Sequence, residues 1–187
     1  SESSLRRASR TLGTLGPTAW NTLRNSRVLL IGCGRTGSAL AHQLAALQVS
    51  SLVLIDEDQL ELENLNAMVG VKEVDVDRSK VRAVQQGIRD FNSECTVTAF
   101  KESAKSPHVE KLAEGVDLIV TCVDSDSPRL CAALLARRFL KVHLDIGTGI
   151  QRLDKDTIQM AGDIRLMLPG SGCLLCVGGL PKEQDAW

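Results

Sequence analysis

The sequence predicts an α/β fold in which helices cover both faces of a mostly parallel sheet, followed by an antiparallel hairpin region. From Arg27 to Gly147, short apolar runs alternate with segments whose apolar residues recur at helical spacing. The first apolar run, "RVLLI", leads into the glycine-rich turn "GCGRTG". After Gly147 the helical spacing stops, and short apolar runs are separated by Gly, Asp and Pro. Because parallel strands need crossover connections, this alternation is typical of a Rossmann-like, doubly wound sheet.

Each element follows from its local pattern. Short, largely apolar runs predict strands, and apolar residues at helical spacing predict helices. The predicted order is strand 27–32, helix 36–47, strand 51–56, helix 79–91, strand 95–100, helix 109–114, strand 116–123, helix 128–140 and strand 141–147. Ligands of such sheets gather at the carboxyl ends of the strands, so candidate site residues are sought there.

The 187 residues divide into three segments. They are predicted to be an N-terminal arm over 1–26, a Rossmann-like nucleotide-binding domain over 27–150 and an antiparallel extension over 151–187. A chain of this length buries one sizeable core. The arm is polar and rich in arginine, and by default such a segment is frayed and has no function.

Charge and hydropathy exclude several classes of partner. The chain has 22 basic and 23 acidic residues, which is not the basic balance of a nucleic-acid-binding protein or of a polybasic membrane patch. No run approaches the roughly 18 apolar residues of a membrane span, and the first residues lack the apolar core of a secretory signal. We therefore expect a cytoplasmic protein without nucleic-acid or membrane partners.

Six cysteines fall into two groups. Four lie within or beside apolar runs, where cysteine usually acts as a small core residue: Cys33, Cys95, Cys122 and Cys131. Cys173 and Cys176 instead form a CxxC motif, which fits either two corners of a zinc tetrahedron or a redox pair. A closed structural zinc site needs four ligands, so the motif alone leaves both interpretations open.

The turn after the first strand has the spacing of a nucleotide-binding motif. Gly32, Gly34 and Gly37 fit the pattern G-x-G-x-x-G, in which backbone N–H groups and a helix N-terminus approach phosphate oxygens. Asp56 ends the second strand about 20 residues further on, where an acidic residue hydrogen-bonds a ribose. This pair of features suits NAD, FAD or ATP, so a dehydrogenase is the first hypothesis to test.

The residues after Asp56 favour a triphosphate over a nicotinamide. Asp58, Asn64 and Asn66 follow on the same loop, and Lys80 begins the next helix. Asp124 ends a further buried strand, at the same edge of the sheet. Taken alone, Lys80 is consistent with an exposed helix residue that has no role in binding. Asp124 alone is consistent with a residue that caps a helix. A lysine and a carboxylate that converge on a glycine loop suit a metal-bound triphosphate.

Together these motifs resemble the ThiF/MoeB/HesA family of adenylating enzymes, which share a fold with ubiquitin-activating enzymes. The resemblance runs from about Arg7 to Cys176. It is carried by the stretches "RASRTLG", "GCGRTG", "LIDEDQLELENLN", "SKV", "CVDSDSPR" and "CLLC". It implies that the chain binds ATP and Mg²⁺ and adenylates the C-terminal glycine carboxylate of a ubiquitin-like or sulfur-carrier protein, with release of pyrophosphate.

The resemblance also implies roles for single residues. Three would be catalytic: Lys80 beside the triphosphate, Asp124 as the magnesium-linked aspartate, and Arg10, which in family dimers reaches the partner's ATP. A homodimer is therefore expected. The nucleotide would be bound by Gly32, Gly34, Arg35, Gly37, Asp56, Asp58, Asn64, Asn66 and Lys80. No general base is needed, because a C-terminal carboxylate is already ionised at neutral pH.

Three departures from the family pattern concern the same sites. Arg35 stands where the family usually has a third glycine, and Ala67 where it usually has arginine. From the sequence, Arg35 either restores the missing positive charge or blocks the loop. The sequence ends at Trp187 before a second CxxC, so the resemblance makes Cys173 and Cys176 half of a four-cysteine zinc site in a truncated protein. The alternatives are a catalytically degenerate interaction subunit of such an enzyme and an NAD-dependent oxidoreductase.

Overall fold

A computed structural model describes residues 2–92 and 94–180. The elements are α1 (Glu2–Asn25), β1 (Arg27–Ile31), α2 (Arg35–Ala46), β2 (Ser51–Ile55), α3 (Lys80–Phe91), β3 (Thr96–Phe100), α4 (Pro107–Glu114), β4 (Leu118–Thr121), α5 (Asp126–Arg138), β5 (Val142–Arg152) and β6 (Ile158–Met167). Two short 3₁₀ turns, Leu62–Asn64 and Glu73–Asp75, lie in the long connection between β2 and α3.

The described strands form one sheet in the order β3-β2-β1-β4-β5-β6. The first five are parallel, and β6 pairs antiparallel with β5. The predicted fold class is confirmed: the sheet is Rossmann-like and mostly parallel, with an antiparallel hairpin at its C-terminal end. The order of the strands reverses between β1 and β4, which is where such sheets bind ligands.

Two apolar cores cover the two faces of the sheet. Side chains of a strand alternate between faces, so Val28 and Leu30 of β1 enter the core with α2 and α3, while Leu29 and Ile31 enter the core with α4 and α5. Cys33 and Cys95 are buried in the first core, whereas Cys122 and Cys131 pack against one core each. The four isolated cysteines thus occupy core positions, as predicted.

The N-terminal arm is helical, so the expectation of a frayed segment is wrong. Gly16 has φ 77° and breaks α1 into two helical parts, and Pro17 begins the second part. Ala8 and Trp20 are both buried, one in each part. Leu23 packs against the first core, and the Arg24 carbonyl accepts the backbone N–H of Ser50 at 2.9 Å, so the arm contacts the domain although its composition is mostly polar.

The hairpin begins inside the segment predicted as the nucleotide-binding domain. β5 pairs with β4 only from Val142 to Asp145, and its remaining residues extend the strand beside β6 alone. The predicted boundary at 150 therefore falls within a continuous strand, and the last seven residues of the extension, 181–187, lie outside the described residues. No helix in the described part of the chain is both long and apolar enough to cross a membrane.

Candidate active site

A cavity of about 410 Å³ lies at the carboxyl ends of β1, β2 and β4, between the start of α2 and the start of α5. Its volume is within the ~300–1,000 Å³ typical of small-molecule sites. The predicted site residues in its wall are Gly32, Gly34, Arg35, Asp56, Asp58, Lys80 and Asp124. Parallel strands end at one edge of a sheet, and this brings together residues that are up to 92 positions apart, from 32 to 124.

The glycine loop brings α2 close to the end of β1. Gly32 has φ 94°, and a Cβ there would lie 2.6 Å from the carbonyl oxygen of Cys122. A Cβ at Gly37 would overlap the carbonyl oxygen of Gly32. Gly34 differs, because it precedes the first residue of α2 and a Cβ there would meet no other group within 4 Å. The N-terminus of α2 therefore faces open space, which suits phosphate oxygens.

Asp56 holds the loop after β1 in place. One carboxylate oxygen accepts the backbone N–H of Cys33 at 2.7 Å, and the other accepts that of Asp58 at 2.9 Å. Burial raises the pKa of Asp56, although these two hydrogen bonds and Lys80 favour its ionised form. Each oxygen keeps a lone pair beyond its backbone bond, so the carboxylate can also accept ribose hydroxyls.

Lys80 begins α3 and places its ammonium group in the cavity wall. Its Nζ lies 2.7 Å from a carboxylate oxygen of Asp58, and its backbone N–H donates to the Asp58 carbonyl at 3.1 Å. Burial opposes the charge on Lys80, but the hydrogen bond to Asp58 and the charge of Asp56 raise its pKa above the usual value. The side chain is 15% exposed, against 61% for Asp58. Lys80 is therefore a charged group held at a fixed place.

Two further charged residues border the cavity. Asp124 follows β4 and lies just before the start of α5. Arg35 is the first residue of α2, is exposed, and has no ion pair with any described residue. Arg35, which stands in the third-glycine position, thus adds a positive charge to the cavity wall and leaves the cavity open.

Other predicted residues lie elsewhere. Asn64 accepts the backbone N–H of Glu61 at 3.0 Å and caps a 3₁₀ turn, and Asn66 is exposed outside the cavity wall. Gly37 is buried behind the loop, where it permits close packing. Arg10 is exposed on α1 and is not part of the cavity wall in the described chain.

The sulfur atoms of Cys173 and Cys176 lie 3.6 Å apart, beside a separate cavity of about 220 Å³. Neighbouring hydrogen bonds lower the pKa of the Cys173 thiol, although burial opposes this shift. Within residues 2–92 and 94–180, no group of three or more His, Cys, Asp or Glu side chains is placed to hold a metal. Two thiols so placed fit either one half of a zinc site or a redox pair.

The wall of the cavity also fits Mg²⁺ bound together with a nucleotide. Mg²⁺ is usually held by one or two carboxylates plus substrate phosphates and water, and it does not need a cage made of protein alone. Asp58 and Asp124 offer such carboxylates in the cavity wall. The donor set is all oxygen, as Mg²⁺ requires.

Sequence reasoning missed five polar residues of the wall, which are Thr36, Glu57, Glu102, Ser125 and Thr148. Glu102 follows β3 by two residues and pairs with His108, whose Nδ1 lies 3.0 Å away and helps to lower the pKa of Glu102. Because Glu102 closely follows a parallel strand, its position could have identified it as a candidate site residue. Thr148 lies on the part of β5 that pairs with β6, and no local pattern marks it.

Comparison with known proteins places the chain in a family. The model of the ThiF family matches residues 6–186. The chain belongs to the ThiF family. Among curated relatives, the sulfur carrier protein ThiS adenylyltransferase of Escherichia coli is 31% identical over 107 residues, which cover 57% of this chain and 43% of that protein. The SAMP-activating enzyme E1 of Haloferax volcanii is 25% identical over 163 residues, which cover 87% of this chain and 57% of that enzyme.

Solved structures show the same fold. The tRNA N6-threonylcarbamoyladenosine dehydratase TcdA of Escherichia coli, in complex with ATP, matches with a TM-score of 0.73 and 23% identity, over 81% of this chain and 63% of that chain. MccB of Escherichia coli with ATP matches with a TM-score of 0.72 and 22% identity, over 92% of this chain and 52% of that chain. The present chain thus spans only part of the length of these relatives.

Proposed function

We propose that this ThiF-family chain binds ATP with Mg²⁺ and adenylates the C-terminal carboxylate of a small ubiquitin-like or sulfur-carrier protein, releasing pyrophosphate. One observation carries the proposal: a glycine loop, the Lys80–Asp58 pair and Asp124 border a single cavity at the strand ends. The name of the ThiS adenylyltransferase supports adenylation, and the ATP complexes of TcdA and MccB support ATP as the nucleotide.

The residues suit attack by a carboxylate on an α-phosphate. Two anions must approach each other, so the main requirement is positive charge around the phosphorus. Lys80 and Arg35 provide cations from two sides of the cavity, and the N–H groups at the start of α2 add partial positive charge. Bound Mg²⁺ would neutralise part of the triphosphate charge, with Asp124 and Asp58 as its candidate ligands. Asp56 would orient the ribose.

Arg35 supplies the charge that Ala67 lacks. The resemblance places an arginine at position 67 in most relatives, and Ala67 has no charge. Arg35 lies in the cavity wall and has no carboxylate partner in the described chain, so its guanidinium is available for phosphate oxygens. The two departures from the family pattern thus offset each other.

The first test is nucleotide preference. We expect calorimetry to show that ATP with Mg²⁺ binds more tightly than NAD, because Lys80 and Arg35 favour a polyphosphate over a nicotinamide. Pyrophosphate exchange into ATP should then depend on an added ubiquitin-like or sulfur-carrier protein. The control is the same carrier without its terminal glycine. Tighter binding of NAD would favour an oxidoreductase, and ATP binding without exchange for any carrier would favour a degenerate subunit.

We also propose that the active form is a homodimer in which Arg10 completes the partner's site. Arg10 is exposed and lies away from its own cavity, so it is free to act outside its own domain. An Arg10→Ala variant should slow exchange because a cation near the phosphoryl group is lost. Mixing it with an Asp124→Ala variant should restore part of the activity, since some mixed dimers would hold one intact site. No recovery after verified subunit mixing would contradict the shared site.

A further inference from the structure

A buried charged network lies next to the cavity and is not part of its wall. Asp145 of β5 is buried, with 1% of its side chain exposed. One of its oxygens lies 2.5 Å from a terminal nitrogen of Arg129, and the other accepts Nε of the same guanidinium at 3.2 Å. Thr121 at the end of β4 donates its hydroxyl to Asp145 at 2.6 Å. The carboxylate is thus held by a two-point contact and one further hydrogen bond.

His143 completes this network from the far side. Its Nε2 lies 3.0 Å from the hydroxyl oxygen of Thr121. Because the single hydroxyl proton of Thr121 points to Asp145, Nε2 must carry the proton and donate it. Burial lowers the pKa of His143 to about 4, so this donor is a neutral imidazole at physiological pH. The hydrogen bonds from His143 to Thr121 and from Thr121 to Asp145 therefore run in one direction.

The Arg129–Asp145 pair connects two parts of the protein that border the cavity. Arg129 lies in the first turn of α5 and also contacts Asp126 at 3.4 Å. The residues just before Arg129 that border the cavity are Asp124, Ser125 and Pro128. On the other side, β5 borders the cavity with Ile146 and Thr148, which follow Asp145 by one and three residues. The Arg129–Asp145 contact therefore ties the segment that carries Asp124 to β5.

Stability alone does not explain a charged pair at this place. Removing two charges from water is costly, and apolar side chains of similar volume are often at least as stabilising. A two-point contact between a guanidinium and a carboxylate does, however, define both distance and orientation. Hydrogen bonds from Arg129 and Thr121 hold the pKa of Asp145 below its usual value despite burial, so the pair remains ionised.

We propose that the Arg129–Asp145 pair positions the first turn of α5, and through it Asp124, for binding of the magnesium-bound triphosphate. This proposal rests on the proposed function for its ligand. Arg129 and Asp145 are positioning residues, because neither is in the cavity wall. Their effect on the nucleotide passes through the segment 122–128.

The first experiment needs no nucleotide. Asp145→Asn and Arg129→Lys should each raise amide hydrogen exchange in the segment 122–128, because the contact to β5 is weakened. The matched control is Asp117→Asn, which disrupts another contact between an arginine and an aspartate. This pair, Arg27–Asp117, lies at the amino ends of β1 and β4, away from the cavity. It should leave exchange in 122–128 unchanged. Unchanged exchange in Arg129→Lys, or an equal rise across the whole sheet, would overturn the proposal.

The second experiment measures the Mg²⁺ concentration that gives half-maximal ATP binding by calorimetry. Loss of a residue that orients a metal ligand typically weakens metal binding about 10- to 100-fold, and we expect a rise of that order for Asp145→Asn. The double variant with Arg129→Lys should be no worse than the poorer single variant, because both changes remove one contact. Additive losses, or weaker ATP binding without any change in the Mg²⁺ requirement, would contradict the proposal.

The two experiments separate this proposal from the proposed function. If the unchanged chain binds no ATP, the proposed function fails, while hydrogen exchange still decides whether the pair positions α5. If Asp145→Asn does not fold, Arg129→Lys decides the outcome, because its side chain is partly exposed and keeps the charge.

Discussion

Replacing Lys80 with alanine should lower the rate of pyrophosphate exchange into ATP by about 10²- to 10³-fold, the usual cost of losing one preorganised group that stabilises transition-state charge. Lys80 is held in the cavity wall by Asp58 at 2.7 Å, so its charge is already in place before the nucleotide arrives. An Asp124→Ala variant should show a loss of similar size, because a candidate Mg²⁺ ligand is removed.

The chain offers a matched control for Lys80. Lys72 makes an ion pair with Asp90, also at 2.7 Å, but lies outside the cavity wall. Lys72→Ala should therefore leave the exchange rate unchanged. Urea denaturation should show that both variants remain folded, since partly exposed ion pairs contribute little to stability. Wild-type exchange in Lys80→Ala, or equal losses in Lys80→Ala and Lys72→Ala, would refute the assigned role of Lys80.

Replacing Gly37 with alanine should destabilise the domain by about 3 kcal/mol, the upper part of the range for overpacking a core. The added Cβ would overlap the carbonyl oxygen of Gly32, which is backbone and cannot move aside as a flexible side chain could. Either α2 or the glycine loop must shift, so ATP binding should be lost as well. Urea denaturation measures the first effect, and calorimetry measures the second.

Gly34→Ala separates stability from binding. A Cβ at Gly34 meets no other group within 4 Å, so the variant should lose no more than the ~1 kcal/mol that alanine typically costs at a helix N-cap. The added methyl group would stand in the open space where phosphate oxygens approach the start of α2, so ATP should bind more weakly. A Gly37→Ala variant as stable as Gly34→Ala would mean that the close approach of α2 to the loop is not needed.

Local sequence patterns were sufficient for the sheet and for the centre of the candidate site. Alternating elements predicted a parallel sheet, and the parallel arrangement predicted that residues after β1, β2 and β4 would meet. Gly34, Asp56 and Asp124 do meet in one cavity, and Lys80 joins them from the start of α3. Each of these residues lies at the end or the start of a regular element, so the position of the element places the residue.

Two predicted site residues on an irregular segment lie outside the cavity wall in the described chain. Asn64 and Asn66 lie in the long connection after β2, where the side-chain oxygen of Asn64 accepts the backbone N–H of Glu61. Local hydrogen bonds of this kind compete with a ligand for the same side chain.

The arm was expected to fray because its composition is polar, yet it is helical and its Leu23 packs against the first core. A few apolar side chains outweigh average composition when the surface that receives them already exists.

The sequence by itself was enough for the fold class, the glycine loop and the resemblance to an adenylating family, because these depend on periodicity and on short motifs within single elements. The Arg129–Asp145 contact and its connection to Thr121 and His143 depend on the register between β4 and β5 and on the packing of α5. No local sequence pattern encodes this strand register or the packing of α5. Partners that are 16 and 24 positions apart come within hydrogen-bonding distance only after the sheet has formed, since the strand register and helix packing then set the direction of each side chain.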